Sequence, residues 1–142
     1  MMLDASLRMF AATLIAPLAA PISIVFALGL LEGSAEMALL APLTLVTIPG
    51  IYGYALAFIP VLLLGTGLTV ASLHFPVLRP ARIWLATGAF FGTLTGLAFA
   101  AGGRDMLAYG AVAGSACALV YRVIVGPALR RPAATPSVRA GS

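Results

Sequence analysis

The chain has no lysine, one histidine, one cysteine and four acidic residues among 142 positions. A lone cysteine, Cys117, excludes an intramolecular disulfide, and with one histidine no Cys/His metal cluster can be assembled. Charged residues make up 8% of the chain, against about 25% in an ordinary soluble domain, so the chain cannot clothe a water-facing surface. The acids are Asp4, Glu32, Glu36 and Asp105, all outside the long apolar runs. The runs therefore lack the intramembrane carboxylate that marks most ion and substrate paths. Glu32 and Glu36 are spaced to share a helix face, yet no His or Cys accompanies them. No phosphate-binding glycine loop, zinc spacing or nucleophile motif is present. Ser115 and Cys117 lie in an apolar helix with no base nearby in sequence and read as packing residues. No catalytic residue, cofactor site or metal site is expected.

What the chain has in abundance is hydrocarbon: 62% of its residues are hydrophobic and its mean hydropathy is +1.11. The apolar runs are continuous rather than alternating, which excludes a membrane β-barrel and points to an all-α polytopic membrane protein. The eight basic residues are all arginine, giving a net charge of +4. They flank apolar segments instead of forming a face, so they report membrane topology rather than nucleic-acid binding. Arginine without lysine, with much Ala, Gly and Pro, suits a GC-rich bacterial genome and hence a bacterial inner membrane.

Four spans are predicted, at about 9–31, 51–73, 83–102 and 106–125, forming one transmembrane domain over 1–126. The first carries Pro17 and Pro21, which predict a kink near its middle. Small residues at Gly33, Ser34 and Ala35 would suit signal cleavage, but the apolar stretch exceeds a signal peptide's core. An uncleaved first helix is expected. Residues 37–73 form an uncharged run that would be ~55 Å long as one helix, nearly twice the ~30 Å hydrocarbon thickness. It must break, and Pro49 with Gly50 is the expected place. The short segment 37–48 then lies at the interface or dips into the bilayer and returns. Asp105 is a plausible N-cap for the fourth span, and Gly126-Pro127 is expected to stop it. Residues 127–142 read as a disordered basic cytoplasmic tail.

The positive-inside rule places both termini in the cytoplasm. Arg8, Arg79, Arg82, Arg122, Arg130, Arg131 and Arg139 then fall on the inner side, and only Arg104, beside Asp105, falls outside with Glu32 and Glu36. Tyr52, Tyr54 and Tyr109 fall near the outer interface, and Trp84 and Tyr121 near the inner one. A rival makes 37–48 a fifth crossing with the N-terminus and Arg8 outside, but as a helix that segment reaches only ~18 Å, short of the ~30 Å hydrocarbon core.

Three features bear on function. Gly88, Gly92 and Gly96 repeat at four-residue spacing in the third span, and Gly110, Gly114 and Ala118 form a similar row in the fourth. Such rows let backbones approach closely. They predict an intramolecular hairpin, or else self-association or docking on a membrane-protein partner. The break at Pro49-Gly50 suits a turn at the outer interface or a cavity-lining interruption. His74, Arg79 and Arg82 in the inner loop set topology or grip a lipid phosphate or acidic partner. The expectation is a small non-enzymatic accessory or assembly subunit, or a small homo-oligomer, partnered by the bilayer and with no nucleic acid. The alternative is a small permease or channel using the broken second span.

Overall fold

The computed structural model describes residues 2–98 and 105–129. Among them every regular element is helical. Helix α1 (Met2–Ile15) leads through a 3-10 turn at Ala16–Leu18 into α2 (Ala19–Leu31). The irregularity falls on Pro17, whose missing N–H interrupts the α ladder. The backbone released there is partly used: the Tyr54 hydroxyl donates to the Leu14 carbonyl at 3.2 Å.

Helix α2 ends on Gly33, which has φ +68°. The Ser34 N–H returns to Gly29 O at 2.9 Å and the Gly33 N–H to Leu30 O at 3.3 Å. This paired closure satisfies the orphan carbonyls of a helix end and needs a left-handed residue that glycine supplies without strain.

The short apolar segment forms α3 (Ala35–Leu40) and a 3-10 stretch, Ala41–Val46. Both pack on α2, and Ala41 is buried there. Helix α4 (Ile48–Pro60) follows after a bend at Thr47. Pro49 and Gly50 therefore sit in the first turn of α4, and the change of direction comes just before them. A proline fits that turn because its missing N–H would have had no intrahelical partner. A further interruption, absent from the expectations above, lies deeper. Val61–Gly65 form a π turn directly after Pro60, and α5 (Thr66–His74) continues the rod. The Pro60 ring denies Leu56 its normal donor, and one wider turn absorbs the mismatch.

A 3-10 turn at Pro76–Leu78 leads into α6 (Ala81–Ala98), and α7 (Asp105–Leu129) completes the described fold. The intervening loop with Arg104, and the tail arginines 130, 131 and 139, lie outside the described residues. Helix α7 does not stop at Gly126-Pro127, as expected, but runs to Leu129. Packing explains the difference. Val125 and Leu129 join Ala12, Ala16, Trp84 and Tyr121 in the buried core, which holds the last turn despite the lost backbone bond.

Among the described residues, three helical stretches are long and apolar enough to cross a membrane: Ser6–Leu31, Ile51–His74 and Asp105–Leu129. Helix α7 is the hub, packing on α6, α1, α2 and α5. The stretch Ile51–His74 is the most peripheral, with 17% of its apolar window buried against 28% for each of the other two.

Candidate functional site: a lateral apolar cleft

The two glycine rows face each other within one molecule. A Cβ at Gly88 would strike the Gly114 carbonyl and Ala118 Cβ, one at Gly92 the Gly110 carbonyl, and one at Gly96 the Met106 carbonyl. Each pairing moves four residues up α6 and four down α7, so the contact is antiparallel and backbone to backbone. The close approach draws α6 and α7 into a thin, rigid wall.

The opposite wall is the rod α4–α5, which leans on α7 around the π turn and α5. Between the walls is a cleft of about 430 Å³. One side of it runs from Gly53 to Leu68, and the hairpin side from Trp84 to Gly96 and from Met106 to Tyr121. Among the described residues, no Asp, Glu, His, Lys or Arg lines it. Its polar groups are neutral: Thr87, Thr95, Tyr109, Cys117 and Tyr121. Of these, Thr95 already donates to the Phe91 carbonyl at 2.9 Å.

At about 430 Å³ the cleft falls in the ~300–1,000 Å³ range of small-molecule pockets.

One end of the cleft is built from aromatic rings. Trp84 and Tyr121 stack with centroids 6.0 Å apart and planes 24° from parallel, and each is 1% exposed. Expected near the inner interface, they are core residues facing each other. The Tyr121 ring also presses on the π turn: a Cβ at Gly65 would lie 2.5 Å from Cε2 and 2.8 Å from Cδ2. Trp84 Nε1–H donates to the Leu78 carbonyl at 3.0 Å. Among the described residues the buried Tyr121 hydroxyl has no hydrogen-bond partner, a condition that costs about 1–3 kcal/mol when nothing relieves it.

At the junction of α5 and α6, His74 and Arg79 are tied to backbone carbonyls. Arg79 Nε donates to Ser72 O at 3.1 Å, and the Arg79 carbonyl accepts Nε and Nη2 of Arg122 at 3.0 and 2.8 Å. His74 Nδ1–H donates to Val70 O at 3.0 Å, capping its own helix. Arg82 is exposed. None of His74, Arg79 and Arg82 bonds another, so the three are not assembled around one point. The Arg122 guanidinium lies along α7 over Gly126, where a Cβ would collide with Nη1.

Sequence reasoning missed the cleft, the π turn and the burial of Tyr121. Pro60, in the middle of an apolar run, was the available signal for the second of these. Compared with known proteins, the chain matches no family model, no curated protein and no solved structure. The fold itself defines the class: a helical protein with three helices able to cross a membrane and an apolar cleft between its second such helix and its C-terminal hairpin.

Proposed function

We propose that the chain is a four-span bacterial inner-membrane protein with both termini in the cytoplasm, acting without chemistry of its own as an accessory subunit. Its task in this reading is to hold a membrane-soluble, apolar molecule in the cleft. The cleft is the observation that carries the proposal, because its lining is largely hydrocarbon and, among the described residues, includes no Asp, Glu, His, Lys or Arg. A fourth crossing is supported by α6, whose 18 residues reach ~27 Å and pack antiparallel along α7, itself long and apolar enough to span.

Native mass spectrometry of the protein, extracted gently from its own membrane, tests the reading. A retained apolar adduct, alone or with a heterologous companion at fixed stoichiometry, supports it. An adduct-free protein in every preparation opposes it. Orientation is tested in a Cys117→Ala background. Ser34→Cys should react with a membrane-impermeant thiol reagent in intact cells, and Phe75→Cys only after permeabilisation.

A second reading, a small permease, is favoured by the interruption at Pro60–Gly65, since broken spans commonly line transport cavities. It requires a closed homo-oligomer and solute flux in liposomes, because one copy encloses little volume.

A further inference from the structure

We propose that the turn joining α5 to α6 is a binding surface for the headgroups of anionic phospholipids. The inference rests on the reading of the chain as a membrane protein and names the lipid chemistry that one end of it meets. The turn follows Ile51–His74, a stretch long and apolar enough to cross a membrane, so it lies where that stretch leaves the hydrocarbon. Its tip is apolar and uncovered: Phe75 is 60% exposed and Val77 70%, and none of Pro76, Val77 and Leu78 is buried. Water is a poor neighbour for such a tip, whereas the boundary between headgroups and acyl chains accepts it.

The base of the turn is held firmly and is cationic. Leu78 O receives Trp84 Nε1–H and the Ser72 hydroxyl, Arg79 Nε donates to Ser72 O, and Arg122 reaches the Arg79 carbonyl from α7. The Arg79 bond goes to a neutral carbonyl, which fixes the side chain without cancelling its charge. Among the described residues the Arg79 Nη atoms and the Arg82 guanidinium have no bonding partner. Acidic groups are gathered elsewhere. Gly88 of α6 meets Gly114 and Ala118 while Gly96 meets Met106, so Asp105 stands at the end of α6 remote from Arg82. Ala12 and Ala16 pack with Tyr121 and Val125 before α2 begins, so α2 carries Glu32 and Glu36 toward that same remote end. The basic turn is thus separated from these three acids by the length of the bundle. His74, Arg79 and Arg82 do not ring one point, and cations spread along a turn suit a layer of headgroups better than a single dissolved ion. Guanidinium groups bond phosphate oxygens in pairs, and an anionic bilayer surface attracts arginines held at its level.

The experiment reconstitutes the full chain in phosphatidylcholine bilayers with a trace of spin-labelled lipid, either phosphatidylglycerol or phosphatidylcholine with the same acyl chains. The motionally restricted part of each electron paramagnetic resonance spectrum reads the lipid in contact with the protein. Averaged over the whole lipid-facing perimeter, wild type should favour the anionic probe about two- to fivefold. Arg79→Gln combined with Arg82→Gln should remove most of that preference. Arg79→Lys combined with Arg82→Lys should keep most of it. Both pairs lose the Arg79 Nε bond to Ser72, so a merely structural role would affect them alike. Arg130→Gln with Arg131→Gln should leave the preference in place, and inorganic phosphate in the buffer should not release the anionic probe. Equal restriction of the two probes by wild type overturns the inference. So does a glutamine pair that keeps the preference, a lysine pair that loses it, or a loss caused by the tail substitutions. Release by inorganic phosphate assigns the turn to a soluble anion and overturns the lipid assignment. No restricted component for either probe overturns the membrane reading itself.

Discussion

The ring of Tyr121 lies against the backbone of Gly65, so close that a Cβ on that glycine would sit 2.5 Å from Cε2. This contact joins the bulged second rod to the C-terminal hub helix and closes the cleft beside Trp84. Two residues further on, Gly67 has nothing within 4 Å of an added Cβ. The pair makes a controlled experiment. Gly65→Ala should lower stability by about 1–3 kcal/mol through overpacking. Gly67→Ala should be neutral or stabilise by up to about 1 kcal/mol through helix propensity. Thermal melts of both variants in one detergent decide it.

Gly92→Leu places a branched side chain where the Gly110 carbonyl already lies. The two helices have to separate, and a loss of about 3 kcal/mol is expected. Unchanged melting and unchanged association in detergent would show that the hairpin contact does not support the fold.

Arg122 reaches the Arg79 carbonyl through two nitrogens. A lysine cannot reproduce that fork. Arg122→Lys should cost about 1–2 kcal/mol and quicken amide exchange in residues 75–79, while charge and topology stay as they are. Equal exchange in both proteins would show that the two bonds do not hold the loop.

Trp84 is the chain's single tryptophan and is 1% exposed. Its emission should be blue-shifted and resist iodide in the folded protein, and both properties should vanish on denaturation. Ready quenching by iodide in the native state would contradict the packed aromatic floor.

The long apolar helices and the interruption at Pro17 were legible because each depends on local composition or a single backbone requirement. The glycine rows were equally visible, since four-residue spacing puts small residues on one helix face wherever the helix goes. The cleft was not legible. It depends on how far the α4–α5 rod leans from α7, a property of the pairing rather than of either segment. Tyr121 shows the same limit. Beside Arg122 and near a predicted helix end it suits a membrane interface, but the face of α7 that it occupies points at Gly65 and Trp84. Gly126-Pro127 looked like a stop because the pair usually is one, and only the buried Leu129 beyond it shows why the helix continues.

A helix pair toothed at equal intervals on both sides has more than one way to mesh. Gly88, Gly92 and Gly96 could engage their opposite numbers one notch along, after a slide of four residues or ~6 Å, with glycine again seated near glycine. The teeth alone do not fix the register. It is keyed at one end, where Arg122 of α7 locks onto the Arg79 carbonyl and Tyr121 of α7 stacks on Trp84. The turn before α6 therefore acts as the indexing pin of the hairpin, fixing which notch of α7 each glycine of α6 meets.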